Sequence, residues 1–578
     1  MKARRITFLQ ACEMIQADIE SDHDETNEDT NHPSDDEEII FREENIDVDS
    51  QPSVDDEGDI PAFEEASSSD SEDDEEFEVE ERGGVTYSNV HLPFILTSRN
   101  ILTERSRTLS NPVSESEAFL LFYDEDMIRH TLRYTNRKVT DLRREYQDRH
   151  SKSAPGYMSD FDYIEFVACF SILIRCGVDR DNMTSLQDLW SPNDSRPFYR
   201  ATLGFQRFKF FLRAIRFDNF RDREARKLRD KLAAVRELWS HFQRNLLRFY
   251  VPEATITIDE QLLGYRGRAP GRMFMPSKPR KYGVKIFWAC EASSGFALSA
   301  HIYTGKEENG IVHRNLATDV VLELASPFFG TGREIVTDRY FTSHDLAVQL
   351  SEKKLSLLGT IKANRKEIPS QLRNVRDRQV HSTKAFYDHQ NKIVIASHVP
   401  KKFKNVLMLS SSDSEVRETD REDKKPDIIL RYNCTKGGVD VMDACLEEFT
   451  TRRKTCRWPL LINFNMIDVG WNNAFLLMKK NGYVLNRKQF LRNLSFQLAK
   501  PFVSTRLSRR DVRLAAEVVG FVTSHEIHHE TDTGVNKPRR CHLCKKWTRS
   551  LCCICQFPVC PGHRTQIKKD FCSVCIEN

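Results

Sequence analysis

What this sequence lacks narrows what it can be. No run of its 578 residues is apolar for long enough to span a bilayer; residues 166–178 come nearest, but Arg175 interrupts them and a buried helix is the better reading. The first twenty residues hold no continuous hydrophobic segment, so no secretory leader is expected; Ile6, Leu9, Ile15 and Ile19 share only a short amphipathic stripe. There is no P-loop, and nucleotide hydrolysis is therefore not implied. Net charge is also missing, with 86 Lys and Arg against 86 Asp and Glu. That balance conceals a division, because residues 20–82 hold 29 acidic and 2 basic side chains. This stretch carries −27 and the remainder +27. One part of the chain repels nucleic acid and the other attracts it.

The acidic stretch has few aromatics and cannot bury enough surface to fold alone, so residues 1–113 are expected to be disordered. Serines set among acids, as in 67–76, suit phosphorylation by an acidophilic kinase. Beyond it, apolar residues recur at helical spacing in 114–149 (Phe119, Leu120, Leu121, Met127, Ile128, Leu132), 163–176, 205–217 and 235–249. Within 205–217, Phe208, Phe210, Phe211 and Phe217 are interleaved with Arg207, Lys209, Arg213 and Arg216. That pattern reads either as stacking platforms for bases or as an aromatic core under a cationic outer face, the reading preferred here.

The chemistry is expected from aspartates delivered by rigid elements. In 255–258, β-branched residues alternate apolar and polar, the period of a half-buried strand, and Asp259 is expected to end that strand. Residues 334–337 read as a second strand followed at once by Asp338. A third acidic pair, Asp440 and Asp443, follows two glycines in a helical run; three apart, both can sit on one face. Ligands so far apart in sequence rule out a local calcium loop, so these carboxylates must converge through the fold. After Asp259 the pattern gives a hairpin (284–288 and 296–303), a helix (313–324), a strand, a helix (344–353) and a strand (356–361), an RNase H-like order. Strand-like runs at 392–396 and 405–409 then interrupt that core.

The segments TIDEQLLGYRGR, MPSKPRKYGVKIFWACEASSG, VTDRYFTS, GTIKANRKEIP, YNCTKGGVDVMD and RRKTCRWP resemble the piggyBac family of DDE/D DNA transposases, in the family's own order. The resemblance implies an RNase H-like α/β catalytic core with an insertion domain, whose catalytic and Mg²⁺-binding triad maps onto Asp259, Asp338 and Asp440, with Asp443 a further acidic candidate. It implies two metal ions, hydrolysis of one strand at each transposon end, and strand transfer at TTAA sites. It also implies double-stranded DNA and a second copy of the chain as partners, and a nuclear location. A domesticated DNA-binding protein that keeps the scaffold without transposing is the alternative. On this basis residues 114–253 and 450–525 form a helical dimerisation and DNA-binding domain. Residues 254–364 and 428–449 form the catalytic core, 365–427 an insertion domain, 526–540 a linker and 541–578 a small metal module.

Basic residues bracket the acidic ones. Arg266, Arg268, Lys278, Arg280 and Lys281 follow the first Asp, and Arg452, Arg453, Lys454 and Arg457 follow the third. Such groups can neutralise phosphates beside a cut. Trp458 either stacks on a base or caps a core. At the C-terminus, Cys541 and Cys544, Cys552 and Cys555, Cys560 and His563, and Cys572 and Cys575 form four two-residue-spaced pairs. Eight ligands make two tetrahedral Zn²⁺ sites, paired either as a cross-brace (one with three, two with four) or in sequence. Cys553 breaks the spacing and the other cysteines are scattered, which speaks against a disulfide framework.

Overall fold

The strand that begins at Thr255 does not stop at Asp259. In the computed structural model, which describes residues 78–93, 112, 114–192, 195–276, 278–305, 316–508, 538–541, 544–549 and 560–563, it runs from Thr255 to Gly264. Asp259 therefore sits mid-strand, a correction to the reading above. The strand is prolonged because its neighbour Tyr282–Glu291 pairs with it from Ile256↔Glu291 to Gly264↔Gly283, and this ladder buries Gln261 and Leu263 despite the weak apolar pattern.

In chain order the strands of the main sheet are β1 (Val79–Arg82), β2 (Val85–Ser88), β3 (Thr255–Gly264), β4 (Arg272–Phe274), β5 (Tyr282–Glu291), β6 (Ala297–Ile302), β7 (Glu334–Thr337), β8 (Ser356–Thr360), β9 (Thr383–Asp388), β10 (Ile393–His398) and β11 (Val406–Ser410), and a separate two-stranded sheet pairs Arg539–Arg540 with Trp547–Thr548. The main sheet is 11-stranded and ordered β1-β2-β9-β10-β11-β8-β7-β3-β5-β4, with β6 also on β5. β3, β7 and β8 are parallel and the other pairings antiparallel. The strands read as interrupting the core therefore prolong the same sheet at the free edge of β8. The hairpin β1-β2 lies within the stretch 1–113 expected to be disordered; the structure departs from that expectation over 78–93. It is fastened by the buried Tyr87 ring edge-on to His344, by Ser88 Oγ to His389 Nε2 (2.9 Å) and by Leu92 N to Ser414 O (3.0 Å).

The main helices are α1 (Glu115–Phe122), α2 (Glu125–His150), α3 (Tyr163–Asp179), α4 (Phe205–Ala214), α5 (Arg236–Arg248), α6 (Leu316–Ala325), α7 (His344–Glu352), α8 (Asp427–Thr435), α9 (Gly438–Glu448), α10 (Trp458–Lys480) and α11 (Arg487–Ser508). Side-chain caps start several of them: Ser114 accepts from Glu117 N, Asp124 from Met127 N, Asp162 from Glu165 N and Ser343 from Leu346 N. α3 is buried along most of its length, as its near-continuous apolar run requires, and no described helix is long and apolar enough to cross a membrane. The phenylalanines of 205–217 lie in the core: Phe208, Phe210, Phe211 and Phe217 are all buried, the first three among Phe161, Phe166, Phe170 and Trp190. They are not stacking platforms.

Candidate active site

Two of the three aspartates come together through the parallel pairing of β3 and β7. Ile258 lies opposite Thr337, so the next residues, Asp259 and Asp338, emerge side by side. Asp338 follows the strand directly and is fixed by a turn in which Tyr340 N donates to Asp338 Oδ1 (2.9 Å) and Thr342 Oγ1 to its carbonyl (2.8 Å). This turn folds down over β8 only because Gly359 has no side chain: a Cβ there would lie 2.2 Å from Thr342 Oγ1 and 2.6 Å from Thr337 O. Asp259 Oδ1 accepts from Glu260 N at 2.8 Å.

The site is acidic enough to resist full ionisation. Burial pushes the Asp259 carboxyl up to about 8, and the neighbouring charges of Glu260 and Asp338 push the same way. Asp338 is raised by burial and by Glu260, while the amides of Tyr340 and Phe341 and the Lys285 ammonium pull it back. Lys285 stands in the apolar middle of β5, 3% exposed, within 5.3 Å of the Phe287 and Tyr340 rings. Burial lowers it, and Glu260 and Asp338 oppose that shift. Closely spaced carboxylates that cannot shed their protons cheaply are the donor set a hard dication relieves, and their oxygens suit Mg²⁺.

The third acidic pair is divided. On α9, Asp440 is exposed, whereas Asp443 is half-buried and accepts from Gln261 Nε2 at 2.6 Å. Burial raises Asp443, and the Gln261 bond lowers it. The basic residues also divide. Arg266, Arg268, Lys281 and Lys454 are exposed; Lys278 lies 3.6 Å from Glu260, and Arg280 and Arg452 both reach Glu447, at 3.1 and 3.5 Å. Arg453 instead donates to Thr184 O (2.5 Å) and Asp181 O (3.2 Å), and Arg457 to Leu212 O (2.9 Å) and Ile215 O. These two pin the loop after α9 to the helical layer. Trp458 is partly buried against the core.

Glu260, Gln261 and Lys285 were not singled out from the sequence. A lysine inside YGVKIFWAC was the available signal for the last, since a lone charge in a buried run needs a partner.

A second cluster lies near the C-terminus. Cys541, Cys544, Cys560 and His563 bring their ligand atoms within 4.8 Å of one another, with Cys544 Sγ 3.5 Å from Cys560 Sγ and Cys560 Sγ 3.3 Å from His563 Nδ1. Among the described residues this is the one such convergence of three or more His, Cys, Asp or Glu. It unites pairs one and three, as a cross-brace requires. Cys552, Cys555, Cys572 and Cys575 lie outside the described residues.

The profile of the transposase IS4 family matches residues 114–475, which takes in every aspartate above. A solved structure, the cryo-EM structure of the piggyBac transposase synaptic complex with hairpin DNA, superposes with a TM-score of 0.68 at 31% identity, over 79% of this chain and 97% of that one. The chain belongs to the piggyBac transposase family. Two human relatives of the family are similar at 24% identity over 272 residues: PiggyBac transposable element-derived protein 3, matched over 44% of its length, and the chimeric ERCC6-PGBD3 protein, matched over 25%. The chain thus spans less than half the length of these relatives.

Proposed function

We propose that this member of the family is a DNA transposase that cuts and joins phosphodiester bonds at TTAA sites through Asp259, Asp338 and Asp440. The observation that carries the proposal is the side-by-side placement of Asp259 and Asp338 at the β3–β7 pair. The order β6-β5-β3-β7-β8, with three parallel strands at its centre, supports an RNase H-like core. Asp259 and Asp338, with Asp440, are the residues that would hold two Mg²⁺ ions. Divalent ions held there would activate the attacking hydroxyl and stabilise the leaving oxygen of an in-line displacement. The Lys285 ammonium offsets part of the negative charge of Glu260 and Asp338. Arg266, Arg268, Lys281 and Lys454, exposed around them, are suited to flanking phosphates, a contribution that weakens with salt.

In this reading water attacks the scissile phosphorus at each transposon end and releases a 3′-hydroxyl. That hydroxyl attacks a phosphorus on the opposite strand, displacing the 3′-oxygen of the flanking DNA and closing a hairpin over the TTAA overhang; water reopens the hairpin at the same bond, and the freed hydroxyl then displaces a 3′-oxygen in target DNA. The protein acts in the nucleus on double-stranded DNA as a homodimer, with its acidic tail a kinase substrate. Cys541, Cys544, Cys560 and His563 hold one Zn²⁺, for which three thiolates and an imidazole are a fitting donor set, and the remaining four predicted ligands hold a second.

The test is strand cleavage and transfer by purified protein on TTAA-flanked candidate ends with Mg²⁺. Products that require metal and vanish in Asp338→Ala are expected. DNA binding without cleavage over a range of metals and ends would favour the second reading, a domesticated DNA-binding protein, to which the element-derived names of the human relatives lend support.

A further inference from the structure

Thr257, Asp259 and Gln261 alternate along β3 and so share one face of the sheet. The residues on either side of Asp259 each tie that face to the polypeptide of α8 and α9. Thr257 Oγ1 donates to Thr435 O at 2.6 Å, and Gln261 Nε2 donates to Asp443 Oδ1 at 2.6 Å. Between the ties the approach is close: a Cβ on Gly438 would lie 3.0 Å from Thr257 Oγ1 and 3.1 Å from Glu291 O, so only glycine starts α9 comfortably there. Asp259 lies midway between the strand's two tie points. Asp440, on α9, lies in sequence between Thr435 at the end of α8 and Asp443.

The second tie works in one direction only. Gln261 is 1% exposed, and its Oε1 accepts from Trp288 Nε1 (3.0 Å) and Asn465 Nδ2 (3.2 Å). An indole nitrogen only donates, so reversing the amide would set N–H against N–H in a buried site. Nε2 is therefore held toward Asp443. Trp288 is in turn the cross-strand partner of Asp259, so one fully buried ring sits beneath both the aspartate and the amide.

We propose that Gln261 is a positioning residue. Locked by Trp288 and Asn465, it anchors α9 through Asp443 and thereby fixes the exposed Asp440 opposite Asp259. Asp443 is then the anchor and Asp440 the free carboxylate of the helix. This rests on the reading of Asp259, Asp338 and Asp440 as the metal-holding set.

The experiment uses the full-length protein, with Mn²⁺ binding followed by calorimetry and cleavage measured alongside. Gln261→Met keeps the bulk and loses the donor; Mn²⁺ affinity and cleavage are each expected to fall by about 10- to 100-fold, the usual effect of removing a group that orients a ligand. Asp443→Asn keeps an oxygen for Gln261 and should bind Mn²⁺ nearly as wild type does, whereas Asp440→Asn should not. Wild-type affinity in Gln261→Met, or equal damage from Asp443→Asn and Asp440→Asn, would overturn the proposal. Should Gln261→Met fail to fold, Thr257→Val removes the other tie, and unchanged Mn²⁺ affinity there overturns it equally. Asp338→Asn separates the two levels: if it binds Mn²⁺ normally the metal-site reading fails, and if it and Asp440→Asn lose binding while Gln261→Met keeps it, only the positioning role fails.

Discussion

Arg207 belongs to the basic and aromatic run that suggests nucleic-acid contact, yet the structure gives it a different task, and replacing it tests that assignment. Its guanidinium has five N–H donors, and the surroundings supply five acceptors. Nε and Nη2 bond Glu165 Oε1 and Oε2, each at 2.7 Å; Nη1 bonds Tyr157 O (2.8 Å) and Ser159 O (2.6 Å); Nη2 also bonds Asp160 O (3.0 Å). The group lies 3.6 Å from the centre of the Phe161 ring, and both charged side chains are nearly buried, at 10% and 12% exposure. Arg207 thus straps the α2–α3 connection onto α3 and α4. Arg207→Met keeps the packing on Phe161 but leaves Glu165 charged and unpaired, which typically costs about 3–5 kcal/mol. At about 1.4 kcal/mol per tenfold, local opening of the strap should become more frequent by roughly two to three and a half orders of magnitude. Hydrogen exchange of residues 156–161 reads this directly. Adding Glu165→Leu should restore much of the loss, because the stranded charge goes with it. Wild-type protection of 156–161 in Arg207→Met, or reduced DNA binding at unchanged protection, would refute the structural assignment.

Two further outcomes are expected. Burial, Glu260 and Asp338 raise Asp259 to about 8, so the metal-free fold holds this proton more tightly than the unfolded chain does. The resulting stability is complete below the ordinary carboxylate range, near pH 4, and is lost as pH rises through about 8. The Tm of metal-free protein should therefore fall from pH 5 to pH 8 more steeply in wild type than in Asp259→Asn, and equal slopes would contradict the assignment. At the C-terminal cluster, Cys541→Ser and Cys560→Ser should remove the same zinc equivalent, so that the double variant retains one by metal analysis. Loss of both would mean sequential pairing.

Much of this was legible because it is local. The strand-then-aspartate pattern located β7 and Asp338, the cysteine spacing located the C-terminal cluster, and the aromatic run of 205–217 was read as core on composition. What escaped depends on partners far away in the chain. Nothing in DEQLLG marks a strand without knowledge that β5 lies alongside. Gln261 looks like any polar residue until Trp288 and Asn465 are set around its oxygen. Arg453 and Arg457 read as a phosphate-binding run, because a basic cluster pinned to main-chain carbonyls and one facing solvent are written alike. The strands of 365–427 announced an interruption, but only pairing reveals that β11 completes the open edge of β8.

The hairpin at the far end of the sheet has a consequence for how copies of this protein coexist. An outermost strand offers unpaired amides and carbonyls on which another chain can template, the usual route to aggregation. Here the outermost strand is β1, with the sequence VEER, and its Glu80, Glu81 and Arg82 crowd the exposed margin with charge. The same strand is the last piece of the acidic stretch 20–82. Two such margins repel each other. Charge on this border thereby discourages a second copy from adding its own strand there.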